Sequence, residues 1–444
     1  MTYSISEKNG VVRRKNWSDY LDQTFISPHH SEKVFSVLSL CFNSFHTIKT
    51  TIDYFLSDPE NKFFDYIIVD QSTDNVVSQQ LQDYVAQFEN IIILTPKENL
   101  GSAGGYAFGQ EYILNNGYSY LTMLEDDILL ASPGVFSAFQ KAMRLDTIGF
   151  INACKNTGGE QSRYVQIACY PCGFLEKTGI IDPRYFFRGE DIERGARIEK
   201  NAIRYSYEKL VLPYDYLHPY LKKNNGKIWW AYFSLRNQLY TFQKTFSFGI
   251  LVIAFMYIWY GFSKLLFARN LNVLKIVGLA IKDFLLHRYS LGNSKARIQQ
   301  TKDLIDPIPD DVTPFSLKKT EISAKTQELF YFSRAPLFSK VDHSWISFSN
   351  QNKNFFQKGV LIGGRYNPLY SLFMNAPFIF SIDEYQIDGD QVFISFWKNS
   401  TRFRLIKTLI SLFLSIVVFV IVGYLIILKS LFSRLKYYLL HYAF

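Results

Sequence analysis

Cysteine is scarce: the 444-residue chain has four, Cys41, Cys154, Cys169 and Cys172. They form a single C-x-x-C, and a zinc site needs a second pair at suitable spacing, so zinc is disfavoured. An apolar leader is missing as well. Residues 1–30 are polar and charged, so no secretory signal is expected and the catalytic part belongs in the reducing cytosol. The glycines at 101, 104 and 105 do not spell G-x-G-x-x-G, which disfavours a hydride-transferring dinucleotide enzyme. Uncharged runs of 21 residues are limited to one, Thr408 to Leu428.

What is present is a concentration of carboxylates at one place. The apolar run Tyr120-Leu-Thr-Met-Leu124 ends in Glu125-Asp126-Asp127. A strand that delivers three acids at its carboxyl end puts negative charge where an α/β sheet has its ligand crevice. Glu125 and Asp127, two apart on an extended chain, point to the same side. Oxygen donors of this kind suit Mg²⁺ or Mn²⁺ holding a diphosphate.

Three upstream segments repeat the strand-then-polar-loop pattern. Val34 to Cys41 leads into Asn43, Tyr66 to Asp70 into Gln-Ser-Thr-Asp74, and Ile91 to Leu94 into Asn99-Leu-Gly-Ser-Ala-Gly104-Gly105. Helices are expected between them, over roughly 48–57, 76–88 and 105–116. Alternating strands and helices predict a parallel, doubly wound sheet with all the polar loops on one edge. Asp70 and Asp74 have the chemistry to accept hydrogen bonds from a uracil edge or ribose hydroxyls. The glycines allow close backbone approach to a bulky ligand.

In order and spacing these segments resemble the inverting, GT-A-fold glycosyltransferases of family 2. The likeness continues through Cys172-Gly173-Phe174, Phe186 to Glu193, His218 and Trp230 to Asn237, and covers roughly residues 30–295. It implies an α/β, Rossmann-like nucleotide-sugar-binding domain with a mostly parallel sheet. It also implies a nucleotide-sugar donor held by Asn43, Asp70, Asp74, Asn99, Gly104, Gly105, Glu125, Asp126 and Arg236. A cation, Mn²⁺ or Mg²⁺, would be held by Glu125, Asp127 and His218, and the acceptor would meet Glu190, Glu193, Trp229, Trp230, Cys172 and Gly173.

Within the family, the Asn-Leu-Gly-x-x-Gly-Gly-Tyr and Glu-Asp-x-Glu segments look most like the galactofuranosyltransferase branch, which takes UDP-galactofuranose. Rhamnosyltransferases using dTDP-rhamnose have similar loops, and a catalytically silent scaffold subunit is a further alternative. The family's acidic triplet is commonly Asp-Asp-Asp, and here Glu125 stands first. Inversion needs a base on the acceptor face, and Asp191 matches the family's base. Glu190 and Glu193 would raise its basicity, while Arg188, Arg194 and Arg197 can hold acceptor or pyrophosphate oxygens.

The net charge of +9 with 48% hydrophobic residues points to an anionic, partly apolar partner, read as a membrane and not a nucleic acid. Thr408 to Leu428 is long enough to span a bilayer as a helix. Phe248 to Phe267, with Tyr257, Trp259, Tyr260 and Lys264, reads as interfacial. The expected organisation is a polar extension (1–30), a catalytic domain (31–240), interfacial helices (241–299), a linker and small β-rich region (300–400), and a membrane helix with a basic tail (401–444). The catalytic part is expected on the cytoplasmic side of the cell membrane, acting on a lipid-linked glycan acceptor. Pairing with a second copy of the chain is left open.

Overall fold

The computed structural model describes residues 5–8, 11–14, 21–26, 34–125, 128–130, 134–143, 148–154, 167–200, 206–211, 214–216, 228–246, 248–268, 271–302, 315–318, 359–363, 378–388, 391–400 and 404–442. The chain divides into two compact units, Met1–Pro219 with Tyr289–Ser294 and Tyr220–Arg288 with Lys295–Phe444.

The first unit opens with a hairpin of β1 (Ile5–Lys8) and β2 (Val11–Arg14), followed by β3 (Leu21–Ile26). Then strands and helices alternate: β4 (Phe35–Cys41), α1 (Phe45–Leu56), β5 (Phe64–Asp70), α2 (Asn75–Val85), β6 (Ile91–Pro96), α3 (Gly101–Asn115) and β7 (Tyr120–Leu124). After them come β8 (Ile128–Leu130), α4 (Val135–Met143), β9 (Ile148–Cys154), β10 (Ile167–Pro171), α5 (Cys172–Thr178), α6 (Glu190–Lys200), β11 (Ser206–Val211) and β12 (Tyr214–Tyr216). The main sheet has the order β11-β9-β10-β7-β4-β5-β6-β3.

Its centre, β7-β4-β5-β6, is parallel, as the alternation of strands and helices predicts. Strands covered on both faces read as continuous apolar runs, and all seven residues of β5 are buried. On α1, Ile48, Ile52 and Phe55 recur at helical spacing and are buried. Phe35 stacks on Tyr120 with centroids 4.4 Å apart, and Phe55 meets Tyr66 and Phe136 at 4.9 and 5.6 Å. Asp65, a buried acid near the start of β5, accepts a 2.5 Å hydrogen bond from the Tyr118 hydroxyl. Burial first, and then this bond to Asp65, push the Tyr118 phenol far up.

Two features differ from the sequence expectation. Residues 21–26 are part of the catalytic sheet: β3 pairs antiparallel with β6 and closes an edge that would otherwise expose backbone donors and acceptors. The first unit therefore begins well before residue 31. Helix α3 starts at Gly101 and not near 105, because Asn99 Oδ1 accepts from the Gly101 N–H at 2.8 Å and ends the turn there.

The second unit contains α7 (Ile228–Thr245), α8 (Phe248–Ala268) and α9 (Leu271–Leu285), with α10 (Leu291–Lys302) running into it. Asp283 of α9 is fully buried and accepts from Tyr232 Oη at 2.8 Å and from Arg297 Nε and Nη2 at 2.6 and 3.1 Å. Burial works to raise its pKa, but Arg297 and Tyr232 hold the carboxyl below its ordinary 3.8. Beyond lies a four-stranded sheet, in order β13-β16-β15-β14, of β13 (Phe315–Lys318), β14 (Gly359–Gly363), β15 (Phe378–Asp388) and β16 (Gln391–Ser400). Strands β15 and β16 pair antiparallel, with Asp388 opposite Gln391.

The chain ends in α11 (Arg404–Tyr442), 39 residues long and about 58 Å at helical rise. It runs beside α8: Trp259 Nε1 donates to Ser411 Oγ at 2.9 Å, and Phe255 meets Phe419 edge-on at 5.2 Å. Tyr257 and Trp259 are buried, so these aromatics of α8 face protein, and the interfacial reading of that helix is corrected at those positions. On α11, Leu409–Ile426 has mean hydropathy 2.9 and only 22% of it is buried. Leu409, Phe413, Val420 and Tyr424 are exposed. Among the described residues this is the helix long and apolar enough to cross a membrane. Ending the chain before Arg402 is expected to move the protein from the carbonate-resistant membrane fraction toward the soluble one, because it removes the strongest bilayer term. An unchanged membrane fraction after carbonate washing would place the anchor elsewhere.

Candidate active site

Because β4 to β7 are parallel, their carboxyl ends bring Asn43, the Asp70–Asp74 loop, the Asn99–Ser102 turn and Glu125 to one edge of the sheet. Asp70 Oδ1 accepts from the Ser72 N–H at 3.0 Å, while the buried Oδ2 has no hydrogen-bond partner. Asp74 caps α2 by accepting from the Val76 N–H at 2.9 Å. Asn43, in the left-handed region at φ 50°, accepts from the N–H groups of Thr73 and Asp74 at 2.8 and 3.2 Å and donates to Thr73 Oγ1. Asn43 and Asp74 thus shape the loop that presents Asp70. Gln71, which was not singled out from sequence, bridges that loop to the α3 turn through Leu100 N and Gly101 O.

The glycines prove to be packing devices. A Cβ on Gly105 would lie 2.4 Å from Gln71 Nε2, and one on Gly109 2.4 Å from Leu38 Cδ1. Gly104 is buried in the same helix. The close approach expected toward a ligand is made by the protein itself, letting α3 lie directly on β4 and the Gln71 loop.

The opposite wall is the segment before α6. Phe186 and Arg188 have φ of 60° and 63°, and Gly189 has φ 84°. Left-handed backbone at non-glycine residues stores strain and clusters at functional sites. The segment is pinned by the Phe186 carbonyl, which accepts from the Ala103 N–H at 3.1 Å. At the start of α6, Ser102 Oγ donates to Glu190 Oε1 at 2.8 Å, and Glu190 Oε2 is buried with no partner. Asp191 follows, half-buried, with Oδ1 accepting from the Ile192 N–H at 2.8 Å. Burial first, and then the neighbouring Glu190 charge, push the Asp191 carboxyl up to about 7.

The same helix separates two roles that the sequence groups together. Glu193 is fully buried and paired with Arg197, whose Nε and Nη2 reach it at 3.0 and 3.2 Å. Arg197 also donates to the carbonyls of Thr178 and Ile180 at 2.6 and 2.7 Å. The acceptor contact expected of Glu193 and the oxygen-holding role of Arg197 are therefore replaced by an internal clamp on the 178–180 turn. Cys172 and Gly173 are also displaced from the acceptor role. Strand β10 runs antiparallel to β7 with Pro171 opposite Tyr120, and the Cys172 N–H donates to the Ser119 carbonyl at 2.8 Å. Both residues sit at the amino end of β7, a strand length of about 13 Å from the carboxylate edge. The buried Cys172 thiol is raised to about 12, chiefly by desolvation.

Asp126, Asp127 and His218 lie outside the described residues, as do the side chains of Trp229 and Trp230 at the start of α7. Arg236 belongs to the second unit, fully buried, with Nε donating to Asn237 Oδ1 at 2.9 Å and its guanidinium over the Phe233 ring at 4.9 Å. Among the described residues no group of three His, Cys, Asp or Glu side chains forms a metal shell. The edge does carry the carboxylate Glu125 and buried oxygens of Asp70 and Glu190 without hydrogen-bond partners, and oxygen donors are the ligand type a hard divalent cation takes.

Residues 36–197 match the model of glycosyl transferase family 2. That stretch of the chain is similar to a family 2 glycosyltransferase domain. It covers β4 through most of α6, including every edge residue described above in the first unit, and the mixed, mostly parallel sheet is GT-A-like. Inversion at the anomeric carbon is typical of this glycosyltransferase family. No curated protein matches the chain. Among solved structures, the mannosyltransferase PcManGT from Pyrobaculum calidifontis in complex with GDP-Man and Mn²⁺ is 14% identical, covering 65% of this chain and 85% of its own, at TM-score 0.37. S. aureus TarS (residues 1–349) is also 14% identical, covering 71% and 97%, at TM-score 0.37. Glucosyl-3-phosphoglycerate synthase from Mycobacterium tuberculosis, in complex with Mn²⁺, UDP and phosphoglyceric acid, is 11% identical over 43% and 75%, at TM-score 0.31. These scores are too low to carry an argument, and the family 2 match bears the weight.

Gly101 tests the geometry of this glycosyltransferase site. Its φ is +73°, and an added Cβ would lie 2.1 Å from the Phe186 carbonyl oxygen. Gly101→Ala is expected to cost about 1–2 kcal/mol for the left-handed backbone alone, more with the clash, and to lower kcat by displacing Asp191. Unchanged melting temperature and unchanged turnover would show that the α3–Phe186 contact does not position the site.

Proposed function

We propose that this glycosyltransferase is a metal-dependent inverting enzyme that moves galactofuranose from UDP-galactofuranose onto a membrane-linked glycan acceptor in bacterial surface polysaccharide synthesis. The observation that carries the mechanism is Asp191. It is a carboxyl raised to about 7, at the start of a helix, beside Glu190, which Ser102 anchors to the sheet edge. A base of that strength is suited to take the proton from an acceptor hydroxyl as that oxygen attacks the anomeric carbon. The attack forms the new glycosidic bond, breaks the bond to the diphosphate and inverts the centre.

On the leaving-group face, Glu125, Asp127 and His218 would hold Mn²⁺ or Mg²⁺. Such a cation, when bound, neutralises charge developing on the diphosphate. Asp70 would meet the nucleoside, with Asn43 and Asp74 holding its loop. UDP as the nucleotide and galactofuranose as the sugar rest on the loop sequences of the galactofuranosyltransferase branch. Offering UDP- and dTDP-sugars with membranes and measuring nucleotide release tests both; release from dTDP-rhamnose alone would make the chain a rhamnosyltransferase. Attachment through α11 would bring the site to a lipid-linked acceptor.

Asp191→Asn keeps the shape and loses the proton acceptor. Transfer is expected to fall roughly 10² to 10⁴-fold with donor binding retained, and wild-type kcat/KM is expected to rise with pH through about 7. The same shift acts on stability. A carboxyl whose folded pKa lies above its ordinary 3.8 binds more protons folded than unfolded, so its contribution is complete below about 4 and is lost as pH rises to about 7. The Asn variant should therefore gain melting temperature over wild type between those limits. Wild-type turnover in Asp191→Asn would move the base elsewhere.

The cation is tested separately. Excess chelator is expected to abolish transfer, with Mn²⁺ or Mg²⁺ restoring it, and Asp127→Ala should remain folded and inactive. Full activity in chelator would sink the metal-dependent reading and leave Asp191 untouched.

A further inference from the structure

Helix α6 buries one cation, Arg194, that no acid among the described residues meets with a hydrogen bond. The Arg194 side chain is 4% exposed and lies over the Tyr170 ring, with its guanidinium carbon 4.1 Å from the ring centre. Nη1 reaches Met123 Sδ at 3.8 Å, while Nε and Nη2 have no hydrogen-bond partner. The acid beside it in sequence, Glu193, is held by Arg197 through two nitrogens. Burial, and then the Arg197 charge, work to lower the Arg194 pKa, against the opposing influence of Tyr170 and Glu193. A charge left without a partner in the interior is costly, and two donors aimed at nothing add to that cost.

The two empty donors are not a random pair. Nε and Nη2 lie on one edge of the guanidinium, the edge that grips a carboxylate or phosphate through two parallel hydrogen bonds. Its location is also informative. Arg194 follows Asp191 by one helical turn, and Met123, which it touches, precedes Glu125 by two positions and so shares its face of β7. Arg194 therefore lies between the turn of α6 that carries Asp191 and strand β7, which leads into Glu125.

Resting on the glycosyltransferase reading above, we propose that Arg194 is an anion-binding residue that takes two oxygens of a substrate phosphoryl or carboxylate group. The group is either the donor diphosphate or an acid carried by the acceptor. Binding would cancel the buried charge and fill both donors at once.

The test uses the full chain in detergent, in chelator so that no cation contributes. Thermal shifts and titrations are measured with UDP as the donor probe, and with glycerol 3-phosphate and glucuronate as acceptor-acid probes. At least one probe is expected to stabilise the wild type, and Arg194→Met to weaken that probe about 10-fold or more. Arg194→Met should also melt higher than wild type without ligand, since a charge is no longer buried. A merely structural arginine would give a lower melting temperature. Arg194→Lys keeps the charge without the two-pronged edge; it is expected to show the same loss of affinity and serves if the methionine variant does not fold. Loss confined to UDP assigns the donor, and loss confined to the other probes assigns the acceptor. Equal affinity of wild type and variants for all three probes overturns the inference, as does the absence of stabilisation by any of them. An enzyme that transfers sugar yet is indifferent at Arg194 sinks this inference alone, whereas a wild type inactive with every donor sinks the reading beneath it.

Discussion

The catalytic edge depends on one backbone contact, the Phe186 carbonyl against the first turn of α3. Ala103 donates to it, and Gly101 must lack a Cβ for it to approach. Two segments far apart in sequence are locked there, the turn after β6 and the loop before α6. The loop reaches this position only by taking left-handed backbone at Phe186 and Arg188. Such residues cost roughly 1–3 kcal/mol each unless the surroundings hold them. The Ala103 and Ser102 hydrogen bonds are what hold them, and the consequence is a fixed start for α6 with Glu190 and Asp191 facing the carboxyl edge of the sheet.

Charge on α6 is distributed by burial and pairing. Glu193 and Arg197 neutralise each other and fasten the helix to the 178–180 turn, so they contribute rigidity. Glu190 is tethered through one oxygen, and its remaining negative charge raises Asp191 on top of the larger effect of desolvation. Two acids at adjacent positions, both partly withdrawn from water, cannot both ionise cheaply. The arrangement lifts the Asp191 carboxyl to about 7, while Arg194 on the next turn keeps two buried donors without a hydrogen-bond partner.

The parallel core was legible because strands covered on both faces need unbroken apolar runs, and Tyr66-Ile-Ile-Val and Ile91-Ile-Ile-Leu have them. The order of motifs singles out the segment of Glu190 and Asp191, and the structure brings that segment beside the first turn of α3 through Ser102. Strand direction left no local trace. Nothing in Ile167–Pro171 says that β10 runs against β7, and that reversal alone carries Cys172 and Gly173 to the far end of the sheet. The place of β3 was hidden for a similar reason: Leu21–Ile26 acquires its role only by meeting the open edge of β6. Gly105 was read as room for a ligand because a missing side chain does not show which neighbour fills the space. Gln71 and Ser102 carry no motif of their own, so only their partners reveal them.

The second unit uses the same residue types to opposite ends. On α8 the aromatics turn inward, Trp259 giving its N–H to Ser411, while on α11 the apolar side chains Leu409, Phe413, Val420 and Tyr424 turn outward. Hydropathy alone cannot tell these apart, since both helices are apolar. What separates them is the small polar stripe of Ser411 and Ser415 on α11, both fully buried, which marks the face that meets protein. The remaining circumference is long, apolar and uncharged from Thr408 to Leu428, and water is a poor solvent for such a surface. A bilayer is the environment that covers it at no cost in backbone hydrogen bonds, because a helix satisfies its own. The buried serines thus fix which side of α11 is left to lipid.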